Sequence, residues 1–588
     1  MPRSRLVPSL LLLAAGPVVV GLVETVRRAW VCDDVFISFR YVDHLLQGQG
    51  LVFNPGERVE GYTHFLWVIL LAACNRLGID LVTLGRYLPI LCFAATLVVL
   101  TRRSLRRRDA AWLGLPLAAW SMALHYDAQL FASSGLETAA FALLLLLGLL
   151  AVSGERERNG LAGAVYALAT LMRPEGALYT ATAGLYLLWR TQVLGKSGAR
   201  GLADRLRPSL VFAATWAALV VPALAFRLSY YGEILPNTYY AKSGGSSYWI
   251  QGWHYTRLYF GIYLVLLASL AAVPTAWVLR RRFGRDLDTA LLAGFQVVVT
   301  ILYVTRLGGD FMFARFYVPA TVLLYLVVED VLRCSRRRWV EIAAAVLLSG
   351  GTLQARLPRS HTFVGREKVE GIVDEANYYT KEMLATLRHQ GEVLGRFLQG
   401  TPARVALLSG QDAVAYFGKL PYALESQGLT DKELARLPIT SRGRPGHERP
   451  ATQEFLLRRG IHFRLRYGLT VNLELHRSIR FDDLYGEILT YDSALMRQLA
   501  QRPGINFVPF PFFLEGYMKS LGERDPRRLQ QDYLDFLVFY FIHNEDAPRL
   551  ARYREALLGA GLREEQLREA ERIAQETLGP PQPNRQGT

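Results

Sequence analysis

The sequence predicts a polytopic α-helical membrane protein that continues into a mixed α/β extracytoplasmic domain with a helical C-terminal tail. Of its 588 residues, 51% are apolar and 20% are charged. Nearly all of the long apolar runs lie before about residue 352, and the remainder has the composition of a soluble sequence. A single globular domain is excluded, because single cores stop growing at roughly 250 to 300 residues. The aromatic content of 11% excludes a disordered chain.

The basic residues support the membrane prediction. The formal net charge is +16, and five short stretches carry essentially all of it. Each stretch abuts an apolar run, as cytoplasmic loops do under the positive-inside rule, so the charge does not indicate a nucleic-acid surface. The five stretches are Arg3 to Arg5, 101–109, 190–207, 280–286 and 333–338.

About eleven apolar runs predict membrane-spanning helices. The run at 65–74 is brief, and a full crossing there would force the arginines at 102–108 outside, so we predict a re-entrant or juxtamembrane helix on the outer side. The N-terminus is then inside and the C-terminal domain outside. A cleaved signal peptide is the alternative for the first run. The runs are 6–24, 84–100, 110–125, 138–152, 161–173, 177–190, 209–227, 258–279, 288–305, 317–333 and 338–352.

The remaining chain divides into an α/β domain and an extension. RVALLS at 404–409 and INFVPFPFF at 505–513 have the apolar composition of strands. Apolar residues recur with a helical period over 525–578, which predicts a helical cap. We therefore expect a transmembrane domain at 1–352, an extracytoplasmic α/β domain at 353–518, and a charged helical extension with a disordered end at 519–588.

Adjacent carboxylates follow the first predicted span. Asp33 and Asp34 repel each other, so one of them should have a raised pKa unless a cation compensates. Such a carboxylate can take a proton from a hydroxyl group, whereas the simpler alternative is a helix cap or a solvated pair. Further charged segments, 134–138, 173–176 and 308–315, fall at the predicted outer ends of spans, and their collection on one face suggests a site.

The loop that contains these aspartates resembles a known family. DDVFISFRYVDHLLQGQGLVFNPGERVEGYTHFLW, at 33–67, is similar to the first extracytoplasmic loop of bacterial GT-C glycosyltransferases of the terminal β-(1→2) arabinofuranosyltransferase family. The resemblance implies a multi-span enzyme of the bacterial cytoplasmic membrane that uses a polyprenyl-phosphate-linked sugar on the extracytoplasmic side. Further similar motifs follow in order: SGLET at 134–138, RPEG at 173–176, GEILPNTYYAK at 232–242, GGDFMFARF at 308–316, GLTD at 428–431 and RGRPGHERPAT at 442–452.

The implied chemistry assigns roles to these residues. The catalytic base would be Asp33 or Asp34, with a slight preference for Asp34. Basic residues would hold the donor phosphate, although each could instead reach towards lipid headgroups. The candidate phosphate ligands are Arg40, Arg173, Lys242 and Arg315, with Arg306 as a further possibility. The candidates for binding or orienting substrates are Glu60, His64, Glu137, Glu175, Tyr239, Tyr240 and Asp310, which could equally be structural partners or, for the tyrosines, part of an interfacial belt.

Cofactors and alternative functions stay open at this point. The four cysteines and the histidines are scattered and form no metal-ligand pattern. A divalent cation between Asp33, Asp34 and the phosphate is chemically reasonable, but arginines alone could neutralise the phosphate. The acceptor could be a glycan, a lipid or a protein. A lipid-linked oligosaccharide ligase or phosphotransferase would use the same groups, whereas a transporter or flippase would place charges near mid-membrane and often shows repeats.

Overall fold

The chain folds into two compact units. The first comprises Met1–Val42, Tyr62–Lys381 and Ser441–Glu448, and the second comprises Asp43–Gly61, Glu382–Thr440 and Arg449–Thr588. The predicted boundary at residue 352 thus falls inside the first unit. The computed structural model describes residues 6–107, 113–154, 158–193, 202–242, 247–407, 410–439, 442–465 and 473–578.

The described part of the first unit is helical, and helix α2 continues beyond Val42 into the segment grouped with the second unit. Most of its helices lie in the predicted apolar runs, whereas α2, α6, α11 and α18 lie outside them. They are α1 (Leu6–Arg27), α2 (Asp34–Leu46), α3 (Phe65–Asn75), α4 (Leu81–Arg106), α5 (Leu117–Leu124), α6 (Tyr126–Phe131), α7 (Thr138–Ser153), α8 (Asn159–Met172), α9 (Gly176–Val193), α10 (Leu202–Tyr231), α11 (Asn237–Ala241), α12 (Trp249–Ile262), α13 (Leu264–Ser269), α14 (Ala272–Phe283), α15 (Asp288–Leu307), α16 (Val318–Arg333), α17 (Arg338–Gln354) and α18 (Arg356–Thr362).

Several of these helices have the length and composition of membrane spans. Within the described residues, four are both long and apolar enough to cross a bilayer: Leu81–Arg106, Arg205–Tyr231, Leu264–Phe283 and Asp288–Leu307. Shorter apolar helices occur at Phe65–Asn75, Thr138–Ser153 and Asn159–Met172. These helices indicate a membrane protein.

The predicted span at 110–125 is interrupted. The helix there, α5, has only 8 residues and is about 12 Å long, too short to cross a hydrocarbon core alone. It ends because His125 adopts an extended conformation, and the His125 Nδ1 atom accepts a hydrogen bond of 3.3 Å from the backbone N–H of Ala128. This bond caps the next helix, α6, so the chain turns where the hydropathy pattern predicts continuity.

A buried clamp fastens the end of the first unit to its helices. The Arg359 guanidinium lies 2.9 Å from Asp127 Oδ1 and 2.8 Å from Asp374 Oδ2. The Tyr263 hydroxyl donates a 2.6 Å hydrogen bond to the same Asp127 carboxylate. A paired carboxylate and guanidinium of this kind hold the segment that follows α18 in a defined position, because separating them would leave buried charges unpaired.

The same segment also pairs with the chain between α15 and α16. The Val373 N–H donates to the Phe311 carbonyl at 2.8 Å, and the Phe313 N–H donates to the Val373 carbonyl at 2.9 Å. This short parallel bridge places Glu375 and Asp310 on neighbouring stretches of backbone. The bridge and the Arg359 clamp account for the grouping of residues up to Lys381 with the first unit.

The second unit contains a six-stranded mixed sheet of order β2-β1-β3-β5-β4-β6. Strand β1 pairs in parallel with β2 and β3, and the other pairs are antiparallel. The strands are β1 (Arg404–Leu407), β2 (Tyr422–Glu425), β3 (Phe463–Leu465), β4 (Ser478–Phe481), β5 (Leu484–Ile488) and β6 (Ile505–Phe507). The helices are α19 (Lys381–Leu398), α20 (Asp412–Gly418), α21 (Gln453–Arg458), α22 (Ser493–Ala500), α23 (Phe510–Met518), α24 (Pro526–Phe536), α25 (Ile542–Asn544), α26 (Ala547–Gly559) and α27 (Glu564–Leu578).

The strand prediction for 505–513 was wrong after its first three residues. Strand β6 ends at Phe507, and helix α23 begins at Phe510 with Pro509 at its N-cap. Pro509 and Pro511 cannot donate ladder hydrogen bonds, whereas both fit the first turn of a helix. The apolar run therefore changes from strand to helix at the prolines.

The C-terminal extension is helical where it is described. Helices α24, α26 and α27 cover most of 525–578, and the final residues 579–588, predicted to be disordered, lie outside the described residues. His476 is buried in an aromatic box of this unit, stacked 4.3 Å from Phe513 and edge-on to Phe536 and Phe539. Neither of its ring nitrogens has a hydrogen-bond partner within the described part of the chain.

Candidate functional site

The first predicted site residues lie where α2 begins. Asp34 is the first residue of this helix, and the carbonyl of Asp33 accepts the N–H of Phe36 at 2.9 Å. The Cys32 N–H donates to the Ser134 carbonyl at 2.8 Å, so the chain before the helix is joined to the SGLET segment. Asp33 is buried and Asp34 is partly buried. Two motifs that are far apart in sequence are therefore adjacent at this point.

The surroundings of Asp34 favour a basic carboxylate. Burial raises its pKa, and the nearby carboxylate of Asp310 adds to the effect. The charges of Lys242 and Arg315 oppose it, as does Arg444. A carboxylate with a raised pKa beside several cations is the arrangement expected at a proton-transfer site.

Glu137 forms the centre of a buried charge network. Its Oε1 atom lies 3.4 Å from Arg315 Nη2 and 3.5 Å from Arg173 Nε, and its Oε2 atom lies 3.4 Å from His64 Nδ1. Burial opposes ionisation of Glu137, but the His64, Arg315 and Arg173 side chains outweigh it and lower the pKa to about 2. Arg173 also pairs with Glu175 at 2.7 Å. Both arginines thus have carboxylate partners within the protein.

His64 is neutral in this network. Burial lowers its pKa to about 4, although Glu137 works in the opposite direction. The other ring nitrogen, Nε2, lies 2.7 Å from the Ser38 hydroxyl on α2. His64 therefore connects helix α2 with Glu137.

Two glycines position Asp310 and Arg315. Gly308 and Gly309 have φ values of 100° and 72°, in the left-handed region that ends α15. The Asp310 Oδ1 atom accepts the Phe311 N–H at 2.9 Å, and its Oδ2 atom lies 3.6 Å from Arg315 Nη1. A Cβ atom on Gly309 would lie 2.5 Å from the Cβ of Tyr255, so this close approach requires glycine.

Lys242 is a cation with no ion-pair partner among the described residues. Its Nζ atom lies 5.9 Å from the centroid of the Phe311 ring, and Gly446 packs against its side chain. It follows the short helix α11, whose Tyr240 hydroxyl donates to Glu233 at 3.2 Å. Tyr239, the neighbouring candidate, is 38% exposed. The charge of Lys242 is consequently available to an anionic ligand.

Glu375 and Arg444 join this site although the sequence did not indicate them. Arg444 Nη2 donates to Glu375 Oε1 at 2.7 Å, and the Arg444 guanidinium stacks 4.3 Å over the Phe311 ring. His447 contacts the same ring at 4.8 Å. Arg444 and His447 belong to the motif at 442–452, which resembles the family but was given no role in the site. Glu375 lies in no motif.

For three of the predicted site residues, the structure shows positions or contacts other than those of the cluster around Asp34 and Glu137. Glu60 belongs to the second unit, and Arg40 is buried within α2. Arg306 lies in the last turn of α15, where its carbonyl accepts the Tyr248 N–H at 2.9 Å. In the described ranges, no group of three or more histidine, cysteine, aspartate or glutamate side chains is placed to hold a metal ion.

The helices of the first unit thus indicate a membrane protein, and a cluster of acidic and basic side chains lies beside its first loop. Comparison with known proteins gives a more specific class. The chain is 32% identical over 364 residues to the terminal β-(1→2)-arabinofuranosyltransferase of Corynebacterium glutamicum, and 30% identical over 416 residues to that of Mycobacterium tuberculosis. These alignments cover 55% and 60% of this chain, and 51% and 63% of the relatives. The predicted resemblance to this arabinofuranosyltransferase-like family is confirmed.

The chain spans about half to under two thirds of the length of these curated relatives. No family model matches the chain. Among solved structures, it is similar to ArnT from Cupriavidus metallidurans bound to undecaprenyl phosphate, with a TM-score of 0.46 and 14% identity over 70% of this chain and 85% of that chain. The apo form of the same ArnT gives a TM-score of 0.43 over 72% and 87%.

Proposed function

We propose that this protein is a membrane glycosyltransferase that transfers a sugar, most simply an arabinofuranosyl residue, from a polyprenyl-phosphate donor to an extracytoplasmic acceptor. The observation that carries the proposal is the cluster around Asp34, whose pKa is raised by burial and lowered by the nearby charges of Lys242 and Arg315. Of these two cations, Arg315 is paired with Asp310 and Glu137, whereas Lys242 has no ion-pair partner in the described chain. The names of the two relatives support the arabinofuranosyl group.

The reaction needs a base and a cation, and these two residues provide them. Asp34 takes the proton from the acceptor hydroxyl as its oxygen attacks the anomeric carbon. The bond from that carbon to the phosphate oxygen breaks at the same time, and the electron pair leaves with the lipid phosphate. Lys242 stabilises the negative charge that grows on the phosphate, and nearby carboxylates stabilise the oxocarbenium-like sugar. A single displacement of this kind inverts the anomeric centre.

Arg173 and Arg315 have a different part in this mechanism. Since both are paired with Glu137, they maintain the shape and charge of the site. Arg315 also lies beside Asp310, so it links the network to the acids near Asp34. The donor phosphate is then held mainly by Lys242, and the lipid tail enters from the bilayer on the side of the membrane that holds the first loop.

Transfer by the purified protein tests the proposal. With a synthetic polyprenyl-phosphoryl arabinofuranose donor and an arabinofuranosyl oligosaccharide acceptor, Asp34→Asn should lower kcat by about 10² to 10⁴. Lys242→Ala should raise the donor KM. Asp80→Asn is the matched control, because Asp80 is an exposed N-cap of α4 and asparagine caps equally well.

Full transfer by Asp34→Asn would remove the proposed base. If Asp33→Asn alone abolished transfer while Asp34→Asn retained it, the role would pass to the other aspartate. Mass spectrometry of the product identifies the group transferred. A product that carries phosphate along with the sugar would indicate a phosphotransferase.

A further inference from the structure

The ion pair between Glu375 and Arg444 is unusual for its surroundings. Glu375 begins a short 3-10 turn, is buried, and has Arg444 as its ion-pair partner at 2.7 Å. Asp33, Asp34 and Asp310 are the acids that act on it electrostatically. A carboxylate in such acidic surroundings is costly to keep ionised, because like charges at close range repel.

Arg444 is only partly used by this pair. A guanidinium has five N–H donors, and one hydrogen bond from Arg444, to Glu375, is observed. Its Nε atom is buried with no hydrogen-bond partner in the described ranges. Buried donors without partners cost free energy, which an anionic ligand with several oxygen atoms would recover.

Arg444 and Lys242 both lie over the same aromatic ring, that of Phe311. Both cations lie over the Phe311 ring, at 4.3 Å and 5.9 Å from its centroid, and both act on Asp34. Because they share one ring, both cations can contact oxygen atoms of a single phosphate group. Arg444 is supplied by Ser441–Glu448, a segment that groups with the first unit while its neighbours in sequence group with the second.

We propose that Arg444 is a second ligand of the donor phosphate, and that Glu375 is the partner it releases when the phosphate binds. This inference rests on the proposed function and deepens it. In the empty site Glu375 holds the guanidinium in place. Once the phosphate arrives, Arg444 turns its fork to the phosphate oxygens, and after transfer Glu375 takes it back, which weakens the hold on the lipid phosphate and promotes its release.

The charge state of Glu375 is consistent with such an exchange. Burial, followed by the three aspartates, raises its pKa to about 8, while Arg444 opposes the rise. Near pH 7 Glu375 therefore carries a proton most of the time, and Arg444 donates its 2.7 Å hydrogen bond to a largely neutral carboxyl group. Release of Arg444 to the phosphate then leaves no negative charge on Glu375. The site then avoids a buried, unpaired carboxylate.

Binding of decaprenyl phosphate to the purified full chain in nanodiscs tests the exchange. Arg444→Gln should weaken binding at least about tenfold, because a hydrogen-bonded charge is lost. Glu375→Gln should tighten binding several-fold, because an amide cannot ionise and so competes less for Arg444 than a carboxyl group that can. Decaprenol, which lacks the phosphate, is the matched probe, and its affinity should be the same in all variants.

The opposite changes in affinity expected for Glu375→Gln and Arg444→Gln distinguish an exchange of Arg444 from a pair that only supports the fold. If Glu375→Gln weakens binding as Arg444→Gln does, the pair only supports the fold and the inference is overturned. Arg444→Lys keeps the charge but loses the fork, so it should bind decaprenyl phosphate with intermediate affinity, and it replaces Arg444→Gln in the test if that variant does not fold. If Arg444→Lys and Glu375→Gln both bind with wild-type affinity, the inference is also overturned. A wild-type protein that does not prefer decaprenyl phosphate to decaprenol would instead refute the proposed function.

Discussion

Removing the charge of Glu137 should destabilise the first unit strongly. Three side chains converge on this carboxylate, and Glu137→Gln keeps its shape while removing its charge. The network lowers the pKa of Glu137 from 4.5 to about 2, which corresponds to roughly 3 kcal/mol of stabilisation of the ionised form. Arg173 and Arg315 keep Glu175 and Asp310 as partners in this variant, so the cost stays near this figure and does not reach the full penalty of an unpaired buried charge.

Unfolding in mixed micelles of dodecylmaltoside and SDS, followed by tryptophan fluorescence, measures this cost at pH 7. At that pH the contribution of Glu137 is fully present, since it is lost only as the pH falls below 4.5 and through about 2. The control is Glu175→Gln, which removes a less buried carboxylate from Arg173 alone and should therefore cost less than Glu137→Gln, which removes a partner from both arginines. The reasoning fails if Glu137→Gln unfolds within about 1 kcal/mol of the wild type, or if the two variants are equally unstable.

Three further predictions concern stability. As the pH falls from 6.5 to 4, the free energy of unfolding of the wild type should decrease by about 1.4 kcal/mol per pH unit more than that of His64→Gln. The reason is that His64 binds a proton in the unfolded chain in this range, whereas burial lowers its pKa in the folded protein to about 4. Unfolding measured across this pH range gives the difference, and equal slopes would contradict the prediction. His476→Phe should raise the free energy of unfolding by about 1 kcal/mol, because its ring nitrogens make no hydrogen bond in the aromatic box and the half-exposed Glu474 carboxylate lies 3.6 Å from Nε2. A loss of stability would show that the contact with Glu474 outweighs this cost. Gly309→Ala should destabilise the fold more than Gly232→Ala, because both have positive φ but only Gly309 is in close contact with a neighbouring residue, and the order of their unfolding midpoints decides.

Much of the helical architecture was accessible from the sequence because it depends on local hydropathy. Helix α15 covers the predicted span at 288–305, and β1 lies within the predicted strand at 404–409, of which residues 408 and 409 lie outside the described residues. The break at His125 was not accessible, because it depends on a side-chain cap rather than on hydropathy. The change from strand to helix at Pro509 was missed because the apolar pattern was given more weight than proline chemistry.

The composition of the site was likewise predictable only where its residues lie in local sequence patterns. Asp34, Glu137 and Asp310 lie in motifs at the ends of apolar runs, so topology alone could bring them together. Glu375 reaches the site through backbone pairing with Phe311 and through the Arg359 clamp, and neither contact leaves a local pattern in the sequence. Glu60 shows the converse, since it lies in the most distinctive motif yet groups with the other unit.

The Arg359 clamp has a consequence for how substrates are selected. Because one buried guanidinium fastens Asp374 to Asp127, the turn that carries Glu375 is tied to helix α6. Displacing this wall of the site would mean breaking two buried ion pairs, which a sugar ligand cannot compensate. Under the proposed function, the sugars accepted on this side are those that fit the fixed position of this turn, and inhibitors could be designed against the same geometry.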